Sequence, residues 1–488
     1  MNVEDERLDS ERSELRWEIP LLAALTLSAG ALRFHRLGDW SFWIDELFTI
    51  DRALTQYGTF ADWIQHILPN SLWFPVSVML SSGALQFFGV SEWSARAVPA
   101  AIGVLSIPAL YFPARAIFGA RVAILSAFLL AMSPWHLFWS QNARFYTALV
   151  LFYTLALLAF FLGLERNRPS YILFGILFFY LAFSERIFSL FLIPVMAFYL
   201  LACWKGPLQK PPGFNKRNLL LLASPLIVGL ALEGLSLLTR GSSFTLGEMD
   251  WFFLYVNKTP LRLGGAVAFN VGVALAVLAL MSGVYFLFQK NRAATLLLIG
   301  VALPLSMLIP ASLFMFTEDR YLFGTLPGWI LLASLGINEI WSRLGQRRKL
   351  LAAAFVAMLA ADAAGEILLY FRLNHGNRRE WREAFQLVRD RADSDDVVVA
   401  YWPEFSDYYL DREILPWADV RLETLTGRKE RTWFVVDSET VWGSPARKRW
   451  VERNAELVEV FYLRTPEDLN LRVYVYDPSV PERRLSKE

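Results

Sequence analysis

The chain has 488 residues, is 55% hydrophobic before glycine is counted, and carries 38 phenylalanines; its mean hydropathy of +0.36 is that of a protein lying largely in lipid. Lys and Arg total 47 against 46 Asp and Glu, a net charge of +1, so there is no cationic surplus to neutralise phosphates and a nucleic-acid partner is excluded. The single cysteine, Cys203, rules out a disulfide framework or a thiolate metal cluster within the chain.

Residues 1–16 mix acids and bases, unlike the short positive start of a secretory signal, and read as a cytoplasmic tail. The apolar run from Trp17 to Phe34 is then a retained membrane helix, the first span, near 17–35. Further runs of spanning length lie near 94–114, 122–140, 146–164, 170–185, 187–204, 218–238, 263–288, 293–314, 322–341 and 350–371. That makes about eleven crossings. The segment 73–89 is Ser/Gly-rich, opens on Trp73-Phe74-Pro75, and reads as an interfacial or re-entrant helix. Alternate short loops then collect Arg115 and Arg121, Arg166 and Arg168, Lys205 to Arg217, Lys290 and Arg292, and Arg343 to Lys349 on one side, as cytoplasmic loops do. The expected architecture is a polytopic α-helical membrane protein of a cell (inner or plasma) membrane, multi-pass over 17–371, with an external loop at 37–93.

The same parity puts residues 372–488 outside the cytoplasm as a small soluble α/β domain. In it, REWREAFQLVRDRA sets Trp381, Phe385 and Val388 on one helical face, and DVVVAYW, TWFVVDS, ELVEVFYL and NLRVYVYD read as strands.

Three external stretches carry chemistry. The first loop presents Asp45-Glu46 among Trp40, Phe42, Trp43 and Phe48. Partial desolvation raises a carboxylate's basicity toward that of a general base for an acceptor hydroxyl or amine; an isolated acid pair in a loop is otherwise simply solvated. The second, SPWHLFWSQNARFY, ends on Arg144 and Tyr146, a cation beside a phenol that suits either a phosphate or a lipid headgroup. The third is Glu318-Asp319-Arg320-Tyr321, and Arg96 opens the second span on the same side. Glu233, Asp362 and Glu366 fall within spans, where interior or water-lined positions are expected. His136 reads as an interfacial partner rather than a metal ligand.

In order, these pieces resemble the GT-C glycosyltransferases, specifically the bacterial family related to protein O-mannosyltransferases and the lipid A aminoarabinose transferases. The likeness rests on the aromatic-rich acid pair after the first span, on FFGVSEWSARAVPAAIGVLSIPALYFPARAIFGARVAILSAFLLAMSPWHLFWSQNARFYTAL, on EDRYLFGTLPGWILLASLGI, and on REWREAFQLVRDRADSDDVVVAYWPEFSDYYL. It implies a polyprenyl-phosphate-linked sugar donor, transfer to a glycan, lipid or protein acceptor on the non-cytoplasmic face, and contact with membrane lipids. By resemblance Asp45 takes the place of the catalytic carboxylate with Glu46 its neighbour, and Arg144, Tyr146, Arg320, Tyr321 and Arg96 supply donor-phosphate contacts. Many relatives carry a His-Pro-Pro type motif where this chain has Leu68-Pro69-Asn70-Ser71-Leu72-Trp73, which leaves acceptor selection unassigned. A nucleoside-sugar site is not required, no cofactor is assigned, and the adjacent carboxylates leave a divalent metal open. A glycosyl phosphate already contains its leaving group, so the protein need only activate the acceptor and neutralise the departing phosphate, most simply with inversion.

A transporter or lipid flippase, or an inactive GT-C-like scaffold, are the rival readings; a transporter would predict internal repeats and broken mid-membrane helices, which the sequence does not show, and leaves the α/β domain unexplained. The topology is tested by cysteine labelling of intact cells with an impermeant reagent. Positions in 240–258 and 375–480 should react and those in 206–217 and 343–349 should stay protected; external labelling at 343–349 would overturn the orientation.

Overall fold

The computed structural model describes residues 3–67, 75–227, 260–343, 346–373, 378–421, 430–437, 445–463 and 470–479. The stretch Leu68–Trp73, Glu233 and the loop 240–258 lie outside them. The chain divides into two compact units, one of Met1–His35, Thr59–Ser81 and Arg96–Glu366, the other of Arg36–Gly58, Ser82–Ala95 and Ile367–Glu488.

The helices begin with α1 (Val3–Phe34), α2 (Ile44–Thr55), α3 (Phe60–Ile67), α4 (Val76–Phe88), α5 (Glu92–Phe118), α6 (Ala120–Ala131), α7 (Pro134–Ser140), α8 (Tyr146–Glu165), α9 (Pro169–Glu185) and α10 (Leu192–Trp204). They continue with Pro260–Val271, Val273–Phe288, Arg292–Ala311, Leu326–Arg343 and Gln346–Arg372. Among the described residues six helices are long and apolar enough to cross a membrane, or up to eight if each of two bent pairs is one span. Helix α4 has 13 residues, about 20 Å of length against a hydrocarbon core of about 30 Å.

The first unit is arranged around two deeply buried helices. In Asp319–Arg343 and in α8, 89% and 83% of the spanning window is buried, against 17% in Ala352–Arg372 at the periphery. Outer faces such as Leu173, Phe174 and Leu177 of α9 and Phe198 and Leu201 of α10 are exposed apolar surface, as lipid-facing residues are. Charges inside this unit are matched: fully buried Glu18 on α1 accepts from the Tyr111 hydroxyl and from Arg115 Nε at 2.7 Å, both on α5.

Two expected spans are broken. The run 122–140 divides into α6 and α7, bent by 58°. Pro134 at the first helical position brings no N–H and disfavours helical geometry at Ser133, which turns extended (φ −67°, ψ 118°) and caps the new helix by accepting from His136 N at 3.3 Å. The run 263–288 bends by 97° between Pro260–Val271 and Val273–Phe288. Gly272 lies at the bend with φ 92°, a conformation that residues with a Cβ rarely adopt. Asp362 and Glu366 meet these breaks in part: Asp362 is exposed and Glu366 half-buried, and both line a cavity of about 40 Å³ with Ser133, Asn270 and Gly272.

The second unit holds a five-stranded sheet, β1 (Val397–Ala400), β2 (Leu415–Pro416), β3 (Thr432–Val436), β4 (Glu456–Phe461) and β5 (Leu471–Tyr476), in the order β2-β1-β3-β5-β4. β1 runs parallel to β2 and β3, whereas β5 is antiparallel to β3 and β4, with a register shift between Leu457 and Glu459. Val399, Trp417, Val420, Phe434, Val451 and Tyr474 form one core. The helix Trp381–Arg391 buries Trp381, Ala384, Phe385 and Val388, the face its periodicity marks out.

The turn after α8 is built by close approach. A Cβ on Gly213 would lie 2.4 Å from the Leu164 carbonyl oxygen, and the Gly213 N–H donates to that same oxygen at 2.7 Å. Gly213→Ala should therefore destabilise the purified protein by about 2 kcal/mol, as overpacking against backbone does. Gly265→Ala, which would meet nothing within 4 Å, should leave the unfolding midpoint unchanged or raised; equal midpoints for both variants would refute the packing account.

Candidate active site

In the first unit the break at Ser133 sets up the Arg-Tyr loop. The fully buried Arg33, near the end of α1, donates to the Leu130 and Ala131 carbonyls at the end of α6, each at 3.3 Å, beside the Ser133 N–H that also donates to Leu130 at 3.3 Å. Arg33 Nη2 also lies 2.9 Å from His136 Nδ1. Because arginine has no acceptor, Nδ1 accepts, and the imidazole proton sits on Nε2. In return Gln141 Nε2 donates to the Leu32, Arg33 and His35 carbonyls at 3.3, 3.1 and 2.8 Å, closing the end of α1. Helix α7 is thereby fixed against α1, and the chain turns through Asn142 to Arg144.

Arg144 is half-buried, with its guanidinium carbon 5.0 Å from the Phe145 ring centroid. Arg186 stands 5.2 Å from the same ring. Two cations thus share one aromatic platform. Arg186 follows the end of α9, where the buried Glu185 accepts from the Ser77 N–H at 2.9 Å and from the Ser77 hydroxyl, tying the start of α4 to this corner.

The second Arg-Tyr element arrives on a 3₁₀ turn, Asp319–Thr325. Tyr321 stacks on Phe188 at 4.1 Å and lies within electrostatic range of Tyr146 and Arg186. Phe323, fully buried, is 4.9 Å from Trp135 and 6.4 Å from Tyr146 between ring centroids, and Tyr146 is 4.0 Å from Trp139. This aromatic cluster joins the two elements that the sequence keeps far apart. Arg320 is ion-paired with Glu318, and Asp319 accepts from Asn270, so these two side chains have partners inside the fold. Arg96 is fully buried.

The acid pair belongs to the second unit. Asp45 and Glu46 occupy the second and third positions of α2, where the helix dipole favours negative charge. Glu46 is fully buried; it accepts from the Trp43 N–H at 3.3 Å and lies 3.7 Å from Arg378 Nη1. Asp45 is half-buried. The preceding loop is held by Ser41, whose hydroxyl donates to the Arg379 carbonyl at 2.8 Å and accepts from Trp381 N at 3.0 Å. The Phe42 N–H donates to the Tyr409 hydroxyl at 2.7 Å, and that hydroxyl donates to Glu92 at 3.0 Å. Arg382 donates to Glu92 at 3.1 Å and to the Asp39 carbonyl at 2.6 Å.

Arg186 and Arg378 are the two charged groups that the sequence reading passed over. Arg186 sits between two apolar runs, a placement that could have marked it. Nothing local to Arg378 points to Glu46. Among the described residues no group of three or more His, Cys, Asp or Glu side chains is placed to hold a metal ion.

Residues 74–228 match the family described as dolichyl-phosphate-mannose-protein mannosyltransferase. The matched stretch contains Arg96, Arg144, Tyr146 and Arg186. The fold is similar to that of an archaeal oligosaccharyltransferase, AglB from Archaeoglobus fulgidus, in complex with an inhibitory peptide and a dolichol-phosphate, at 16% identity and TM-score 0.56 over 93% of this chain and 74% of that one. It is similar also to ArnT from Cupriavidus metallidurans in the apo state, at 13% identity and TM-score 0.53 over 94% of this chain and 98% of that one.

The chain has the GT-C glycosyltransferase fold.

The same ArnT bound to undecaprenyl phosphate shares that GT-C fold at 12% identity and TM-score 0.51, over 94% of this chain and 97% of that one. No curated protein matches by sequence. Within this fold the Glu46–Arg378 contact is open to direct test. Arg378→Met strands a buried carboxylate and should cost on the order of 3 kcal/mol. Adding Glu46→Gln should recover most of that loss in denaturant or thermal unfolding; additive losses would show that the pair is not coupled.

Proposed function

We propose that this chain is an integral membrane glycosyltransferase that moves a sugar from a polyprenyl-phosphate-linked donor to a glycan, lipid or protein acceptor on the non-cytoplasmic face. The reading takes the membrane domain to cross about eleven times and 372–488 to lie outside the cytoplasm. The observation that carries it is the convergence, within a GT-C fold, of Arg144 and Arg186 on one ring beside Tyr146 and Tyr321. Two relatives of this fold bind a dolichol-phosphate and undecaprenyl phosphate respectively, which supports a phosphate-bearing polyprenol as the donor's carrier.

In this mechanism the acceptor oxygen or nitrogen attacks the anomeric carbon from the side opposite the phosphate. The new bond to the sugar forms as the anomeric C–O bond to phosphate breaks, and the configuration inverts. The bonding pair leaves on the phosphate oxygen, where Arg144 and Arg186 neutralise the added charge, with Arg320, Arg96, Tyr146 and Tyr321 in supporting contact. The acceptor's proton passes to Asp45. Glu46, fixed by the Trp43 N–H and Arg378, holds the turn that presents Asp45.

Asp45→Asn keeps the size of the side chain but cannot take the proton, so turnover should fall by roughly two to four orders of magnitude with donor binding retained. Arg144→Ala and Arg186→Ala should instead raise the donor KM, and Lys at either position should restore part of the loss. Turnover by Asp45→Asn within about threefold of the parent, at matched folded protein, would overturn the base assignment. Unchanged donor KM in both Ala variants would overturn the phosphate assignment.

A further inference from the structure

The opposite end of α8 holds a second cationic site. Helix α8 starts at Tyr146, close to Arg144, and runs for 20 residues to Glu165, about 30 Å away. At that end a cavity of about 580 Å³ opens between the ends of α5, α8 and Val273–Phe288, the start of Arg292–Ala311 and the loop carrying Gln209. Its charged lining is Arg166, Lys290, Arg292 and Glu165.

Glu165 does not cancel this charge a second time, because it is already taken by Arg292 in a two-pronged pair with both contacts at 2.6 Å. Two cations remain. Arg166 is held at the rim by the Ala116 carbonyl at 3.2 Å and the Tyr171 hydroxyl at 3.3 Å. Lys290 closes the preceding helix with φ 57°, a position where glycine is the usual choice, and thereby keeps a cationic side chain at the cavity. The loop beneath is not loose: Asn167 Oδ1 accepts from Asn215 at 2.9 Å and from Asn218 at 3.0 Å, and Gly213 is seated on Leu164.

Basic loops on one side of a membrane protein ordinarily reflect orientation alone. A solvated loop does not explain a pinned Arg166 and a Lys290 at one concave site, where the uncharged lining joins the amides of Gln209, Gln289 and Asn291 to an apolar side of Ile117, Phe118, Phe161 and Leu162. Cations beside apolar wall are the requirements of an anionic amphiphile, with phosphate at the rim and hydrocarbon against the helices. The geometry points to a binding site for a net-anionic phospholipid headgroup at this end of α8, separate from the Arg144 cluster and independent of the transfer reaction.

The test is native mass spectrometry of the full chain in detergent with phosphatidylglycerol, phosphatidylcholine or inorganic phosphate added. The parent should retain phosphatidylglycerol in preference to phosphatidylcholine by several-fold, and Arg166→Gln with Lys290→Gln should abolish the preference. The Glu165–Arg292 pair is left intact in that variant, and an unchanged unfolding midpoint without lipid establishes that it is folded. As a second variant, Lys290→Glu alone should reverse the preference. Displacement of the lipid by millimolar inorganic phosphate would overturn the lipid assignment in favour of a free-anion site. Equal phosphatidylglycerol retention by the parent and both variants would overturn the site altogether.

Discussion

A helix that ends where other chain closes over it leaves carbonyls with no water to receive them, at a cost of about 1–3 kcal/mol for each group left unsatisfied. This chain ends two helices in one place, α1 and α6, and solves both by exchange. Arg33 of α1 supplies donors to the last carbonyls of α6, and Gln141 after α7 supplies its amide to the last carbonyls of α1. Neither contact works alone, because each requires the other helix to stop at the right level. The exchange fixes α7, and α7 carries Trp135 and Trp139 to Phe323 and Tyr146. The placement of Arg144 follows from a backbone hydrogen-bonding constraint some residues away.

Much of this was legible in the sequence, for reasons that differ from element to element. The four strands at 397, 432, 456 and 471 and the helix Trp381–Arg391 follow from periodicity that tertiary context did not override. The two-residue β2 has no pattern long enough to read. The break at Ser133 was written in the pair Ser133-Pro134, a capping residue followed by a first-position proline, but the apolar run around it was long enough to suggest continuity. The bend at Gly272 had a weaker mark, a single glycine inside a run of spanning length.

The candidate site divides along the same line. Asp45, Arg144 and Tyr321 stand in local motifs and were found from them. Glu46 was read as part of a catalytic pair, whereas the fold buries it against a cation more than three hundred residues away in the chain. Pairings across such separations leave no local trace. Arg320 was grouped with Arg144 by their shared face and by resemblance, and in the fold it is ion-paired with its near neighbour Glu318. The residue that shares the Phe145 platform with Arg144 is instead Arg186, from a corner between two apolar runs.

The mixed sheet closes with β2 and β4 at its edges. An edge strand offers unpaired N–H and C=O groups to any passing chain, the starting point of sheet-to-sheet aggregation. β2 offers almost nothing, being two residues long and ending on Pro416, which has no N–H. β4 is longer, but it carries Glu456 and Glu459, and its register shift falls between Leu457 and Glu459, so a straight partner cannot zip along it without meeting charge and a kink. A sheet of this kind is self-limiting. In a membrane protein, whose copies are confined to two dimensions and meet often in fixed orientation, that protection keeps neighbouring molecules from polymerising through their sheets.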